Sequence, residues 1–127
     1  MSHSFGTIEE MGEGGGFRKI RRELGITAFG VNAIVYPPGQ EGFAHYHDYQ
    51  DELYFIHSGT ARFEVGGEER ILGPGGLCHV EAAVPRKVSN AGDDELIMLV
   101  VGAKDGYVER DGHLVDPDDI ERRASFS

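Results

Sequence analysis

Hydrophobic positions along this chain alternate with polar ones in short bursts, and glycine or proline ends most bursts within a few residues. The clearest burst is Ala61, Phe63 and Val65 set against Arg62 and Glu64, the period of a strand with one covered and one wet face. Gly66-Gly67 follows, then Glu68 to Leu72. The two runs read as a hairpin whose glycines supply the positive φ of a tight turn. Thr27 to Tyr36 (TAFGVNAIVY) is rich in β-branched and aromatic residues and stops at Pro37-Pro38-Gly39, a strong breaker. Leu77 to Ala82, Arg86 to Asn90 and Leu96 to Val101 complete the set. The last is apolar throughout, which predicts cover on both faces. Phe17 to Leu24 is open to two readings, a short strand or a helix with Phe17, Ile20 and Leu24 on one face. Near the C-terminal end Asp116 suits an N-cap, Pro117 the first helical position and Arg122 and Arg123 the last turn, so a short surface helix is expected there. About eight short strands, with no helix long enough for a βαβ unit and no internal repeat, predict an all-β sandwich or barrel.

Composition narrows the partners. The formal net charge of −10 over 127 residues argues against nucleic acid and anionic membranes, which both need a basic footprint. No apolar run reaches the ~18 residues of a membrane span, and no signal peptide is visible at the start. A single cysteine, Cys78, excludes an internal disulfide framework and fits a reducing cytoplasm. Gly12, Gly14, Gly15 and Gly16 lie among acidic residues with little to bury, so 1–16 is expected to be a flexible arm. The β-domain then spans 17–115 and the tail with its helix 116–127. The basic cluster Arg18, Lys19, Arg21 and Arg22 reads as a solvated face that balances the acidic surplus.

One stretch carries candidate chemistry, Gly39 to Gly59 (GQEGFAHYHDYQDELYFIHSG). His45 and His47 are one residue apart, so on a strand both imidazoles project from the same face. Glu52 follows a short polar break, Asp48 to Asp51, and returns beside them if that break turns the chain into a second strand. Two imidazoles and a carboxylate on one wall make the ligand set of a divalent transition metal (Mn, Fe, Ni or Zn) with positions left open. The aromatic and aliphatic flanks Phe43, Leu53, Tyr54, Phe55 and Ile56 favour a half-buried strand pair over a solvated face.

These residues resemble the cupin family. Its first motif is a glycine, five residues, His-x-His, three or four residues, a glutamate, six residues and a glycine, and Gly39, His45, His47, Glu52 and Gly59 satisfy it throughout. The second motif is degraded. Starting from Gly75, its proline, glycine and histidine positions hold Glu81, Ala83 and Arg86, while Asn90 is in place. The resemblance covers roughly Val31 to Val101 and implies a double-stranded β-helix (jelly-roll) barrel. It also implies a homodimer and a metal inside the barrel mouth.

The departure at Arg86 matters because the family's fourth ligand stands there and a guanidinium has no lone pair to offer. Three outcomes are open. Arg86 grips an anionic substrate beside a metal held by His45, His47 and Glu52; it pairs with Glu52 inside the barrel and competes with the metal; or it snorkels outward at the rim. Tyr36, Tyr54 and Tyr107 are aromatics that would line the cavity, and Tyr54 shares the parity of Glu52, so Arg86 and Tyr54 are the candidate catalytic residues. His79 is a weaker ligand candidate, His57 should point away from the ligand wall, His113 reads as exposed in a turn, and Cys78 reads as a small buried hydrophobe. The resulting expectation is a metal-dependent enzyme, of dioxygenase or isomerase type, acting on a small anionic substrate. The competing expectation is a small-ligand-binding barrel without metal in which Arg86 pairs with Glu52.

Overall fold

Glycine and proline breaks divide the chain into strands that pair entirely antiparallel into two five-stranded sheets in the computed structural model, which describes residues 2–124. In spatial order the first sheet holds β1 (Gly16–Arg18), β2 (Gly30–Tyr36), β9 (Leu96–Ala103), β4 (Asp51–Ser58) and β7 (Leu77–Val80). The second holds β10 (Gly112–Leu114), β3 (His45–His47), β8 (Arg86–Asn90), β5 (Ala61–Val65) and β6 (Glu68–Leu72). Successive strands mostly switch sheets, which winds the chain into a double-stranded β-helix. Its inner faces meet over a core that includes Ile34, Tyr54, Ile56, Phe63, Leu96 and Met98. Among the described residues no helix is long and apolar enough to cross a membrane.

Both readings of Phe17 to Leu24 are realised in turn: the segment begins in β1 and continues as α1 (Ile20–Leu24), which stops at Gly25 in the left-handed region. The C-terminal helix α2 (Ile120–Ala124) follows a 3-10 turn, Pro117–Asp119, and Asp116 caps that turn by accepting the amide of Asp118 at 2.9 Å. The continuously apolar β9 is covered less than expected. Leu96, Met98 and Val100 are buried, but the outward row Ile97, Leu99 and Val101 is only half-buried. A second correction concerns Asp111 to His113, expected as a turn. Gly112–Leu114 is a strand on the sheet edge, with Gly112 opposite His47 and Leu114 opposite His45. Three residues are too few to display a period, and the partner strand lies far upstream.

Two features of the motifs have local physical causes. Gly39 and Gly59 sit at φ of 73° and 86°, and a Cβ on Gly59 would lie 2.5 Å from the carbonyl oxygen of Glu95, so no other residue fits the end of β4. Asn90 is 4% exposed. Its side-chain amide donates to the carbonyls of Tyr36, Pro37 and Asp94, and its oxygen accepts from Gly92 N–H. That knot ties the end of β2 to the turn before β9 and holds the barrel wall on which the site is built.

Candidate metal centre

The strand pairing brings the candidate residues together. β3 lies in one sheet and β4 in the other, and the alternation of each turns His45, His47, Glu52 and Tyr54 into one cavity of about 370 Å³. Its deeper walls are apolar, formed by Ile34, Tyr36, Phe43, Val88, Met98 and Val100, the usual character of a small-molecule site.

Glu52 is the hub. Its Oε1 lies 3.3 Å from His47 Nε2 and 3.7 Å from His45 Nε2, and one donor atom from each of the three residues falls within a 4.8 Å cluster. The Tyr54 hydroxyl donates to Oε1 at 2.9 Å and Arg86 Nη1 at 3.0 Å. Burial works against a charged carboxyl here, but His45 and His47, which in their protonated forms donate to it and carry positive charge, outweigh it and hold Glu52 well below the usual carboxylate range. Burial pushes the Tyr54 phenol well up, and the Glu52 charge adds to that.

Behind the histidines the ring orientations are set. His47 Nδ1 lies 2.7 Å from Asp111 Oδ1. Burial opposes the Asp111 charge, yet donation from Gln50 Nε2, from the amides of Tyr49 and Gln50 and from His47 keeps its carboxyl well below the usual range. An ionised carboxylate only accepts, so Nδ1 carries the hydrogen and Nε2 faces Glu52. His45 repeats this more loosely, with Nδ1 3.5 Å from the Phe43 carbonyl. His47 Nε2 is buried and, among the described residues, has no hydrogen-bond partner. Lone pairs on two imidazoles thus converge on a carboxylate oxygen, an arrangement that calls for a cation between them. A proton meets that need in part: burial disfavours the imidazolium, but Glu52 and then Asp111 raise the His47 pKa above its ordinary 6.5. A divalent transition metal meets it fully. Donor separations of 3.3 and 3.7 Å are near the roughly 3 Å between adjacent donors on one ion with bonds of about 2.1 Å. The residues present fit the metal.

Arg86 is placed differently from the leading expectation. Its side chain is fully buried (0% exposed), and it does not wall the cavity. Besides Glu52, its Nη2 donates to the carbonyls of Glu81 at 2.7 Å and Ala82 at 3.1 Å. The guanidinium therefore grips Glu52 and the chain's own loop, as in the second of the three outcomes, and its burial excludes the rim position. His79 and His57 are exposed on the outer face of the first sheet, away from the cavity. His113 is exposed, stacked on Tyr46, with its Nε2 2.9 Å from Asp48 Oδ2. Tyr107 stands at the cavity mouth. Cys78 is half-buried, and burial raises its thiol pKa. Asp111 and Gln50 were not legible as site residues, because only the β10–β3 pairing brings Asp111 to His47; the one trace was the alternation of Asp111 and His113 with Gly112 and Leu114.

Comparison with known proteins agrees with this geometry. The family model described as "Cupin domain" matches residues 33–102. A cupin protein from Bacteroides fragilis superposes with a TM-score of 0.70 over 87% of this chain and 91% of its own, at 22% identity, a likeness of fold. The DMSP lyase DddQ of Ruegeria pomeroyi gives a TM-score of 0.63 at 27% identity, over 72% of this chain and 45% of that one. A putative sugar phosphate isomerase from Acidithiobacillus ferrooxidans gives 0.61 at 25% identity, over 68% and 56%. The chain thus spans about half the length of these two. Sequence comparison with curated proteins finds no match.

Proposed function

The chain belongs to the cupin domain family, and from that footing we propose that it is a small-molecule metalloenzyme whose metal is held by His45, His47 and Glu52. The observation that carries this reading is the buried Nε2 of His47, without a hydrogen-bond partner among the described residues, aimed at Glu52 Oε1 and fixed from behind by Asp111. A bound Mn, Fe, Ni or Zn ion would supply a Lewis acid with positions open to substrate, as oxygen-dependent cleavage or enolate-type isomerisation requires. The chain's own residues do the rest. Asp111 and Phe43 hold the imidazole tautomers, Tyr54 and Arg86 orient Glu52, and the apolar walls keep water from a small bound substrate. Arg86 and Tyr54 are in this reading positioning residues. Two structural neighbours carry enzyme names, a lyase and a putative isomerase, which supports turnover over passive binding. The single cysteine supports a cytoplasmic setting. The molecule works as a homodimer, joined through the outward face of the first sheet. Leu53 and Leu77 are exposed there beside half-buried Phe55, Leu99 and Val101, an apolar row flanked by His57 and the His79–Asp51 pair, on which two acidic chains can meet.

A second reading has its own observation, the Arg86–Glu52 pair at 3.0 Å, which would suit a ligand-binding barrel without metal. Elemental analysis of untagged protein purified without chelator separates the two. About one transition metal per chain is expected, and an Asp111→Asn or Glu52→Gln variant should hold less. Protein with no metal, and none taken up on soaking, would leave the ligand-binding barrel.

A further inference from the structure

The metal cluster accounts for the floor of the cavity and leaves its mouth unexplained. Five of the chain's 12 Lys and Arg side chains, Lys19, Arg21, Arg22, Arg110 and Arg123, line this one cavity, against two of its 22 carboxylates, Glu52 and Asp111. Both carboxylates are engaged inside, Glu52 with Arg86 and the histidines and Asp111 with His47 and Gln50. The five cations come from three separate regions: α1 with the residue before it, the segment between β9 and β10, and α2. Among the described residues none of the five is ion-paired with a carboxylate, although acidic side chains outnumber basic ones nearly two to one. Arg21 is held in place: its guanidinium lies 3.8 Å from the Tyr107 ring centroid and donates to the Ile26 carbonyl, which links α1 to the β9–β10 segment across the mouth.

A merely solvated basic face would spread its charges and pair them with the acidic surplus. These charges converge instead on a concave opening with low-dielectric walls, which focuses the field and concentrates anions at the mouth. The cavity, about 370 Å³, is sized for a small molecule, and the chain's net charge of −10 repels larger polyanions.

We propose that the basic mouth formed by Lys19, Arg21, Arg22, Arg110 and Arg123 is an anion subsite, and that the ligand is a small organic acid or phosphate ester. Its charged group sits at the rim while its other end reaches His45, His47 and Glu52. The rim half stands on its own, and only the contact at the floor rests on the metal reading above. The subsite takes over the role that the sequence suggested for Arg86.

The test is calorimetric titration of the full chain with inorganic phosphate and, separately, with malonate, which tells a phosphate-selective mouth from a carboxylate-selective one. Wild-type protein should bind at least one probe, more weakly as NaCl rises from about 50 to about 500 mM. The combined Arg22→Ser, Arg110→Ser and Arg123→Ser variant should weaken that binding at least about tenfold, since each lost charge-assisted contact is worth that much or more. Its metal content and melting temperature should match wild type. The Glu52→Gln variant should lose metal and keep the probe, and a wild-type protein without metal that still binds the probe would leave the mouth standing where the metal reading has failed. Loss of the probe together with the metal would assign the anion to the metal and overturn the proposal. So would a wild-type protein that binds neither probe, or a triple variant that binds as wild type does.

Discussion

Glu52 Oε1 receives hydrogen bonds from Tyr54 and Arg86 and faces the Nε2 atoms of His45 and His47. At this scale the site is a set of lone pairs arranged by groups behind them. Asp111 is the strongest of those groups, and Asp111→Asn should lower metal affinity about 10–100-fold, read by competition with a chelating dye; an unchanged affinity would remove Asp111 from the orientation of His47. Arg86→His should act in two directions. Removing one partner of a buried pair should destabilise the metal-free protein by about 3–5 kcal/mol, measured by denaturant unfolding. Taking a positive charge from beside the cluster and adding an imidazole should tighten metal binding. Equal affinity in the variant and wild type would place residue 86 outside the influence of the cluster. His45, His47 and Glu52 were legible as candidates because i, i+2 parity is a local rule. The direction of Arg86 was not legible: a long side chain has several hydrogen-bonding solutions, and the carbonyls of Glu81 and Ala82 select among them only once the loop is folded.

Elements were easiest to read where breakers are strong. Gly66-Gly67 joins β5 to β6 as a hairpin, and β8 begins and ends at Arg86 and Asn90, as its pattern suggested. The turn after β2 and the end of β4 depend on Gly39 and Gly59, both at positive φ. Asn90 binds three carbonyls across two loops. Asn90→Ala should therefore cost about 1–3 kcal/mol by stranding buried polar groups, seen as a shift in denaturant midpoint with metal content unchanged. No shift would mean that water replaces the amide fully. Short elements escaped notice or lacked meaning. β10 was hidden by its length, and α2 was readable from its caps as a surface helix, but nothing in its residues tells that Arg123 reaches a cavity mouth.

For the whole molecule, charge couples stability to pH. Glu52 and Asp111 have folded pKa values below their ordinary 4.5 and 3.8. Their contribution is present above those ordinary values and is lost as the pH falls through them toward the folded values. His47 is raised above 6.5, so its contribution is present below 6.5 and is lost as the pH rises through the folded value. Metal-free protein should thus be most stable between about pH 5 and 6.5. Because a ligating imidazole must give up its proton, stabilisation by added metal should grow from pH 6 toward 8. Melting curves with and without metal over about pH 4 to 8 check both, and a metal-free optimum near pH 8 would contradict the His47–Glu52 coupling. Assembly is tested by light scattering. Wild-type protein should have the mass of a dimer, and Leu77→Lys, placing a charge in the outward row of the first sheet, should shift it to monomer. A dimer unaffected by Leu77→Lys would move the interface elsewhere.

By itself the sequence determined the all-β class, the turns, the double-stranded β-helix through its resemblance, and the three candidate metal donors. Each of these rests on short-range periodicity or on fixed spacing within one stretch. Only the tertiary structure decided that Arg86 is buried between Glu52 and the carbonyls of Glu81 and Ala82, that Asp111 stands behind His47, and that cations from three distant segments share one mouth. Those are meetings of side chains remote in sequence, and they exist only after the sheets have paired and each strand's register has chosen which face looks inward.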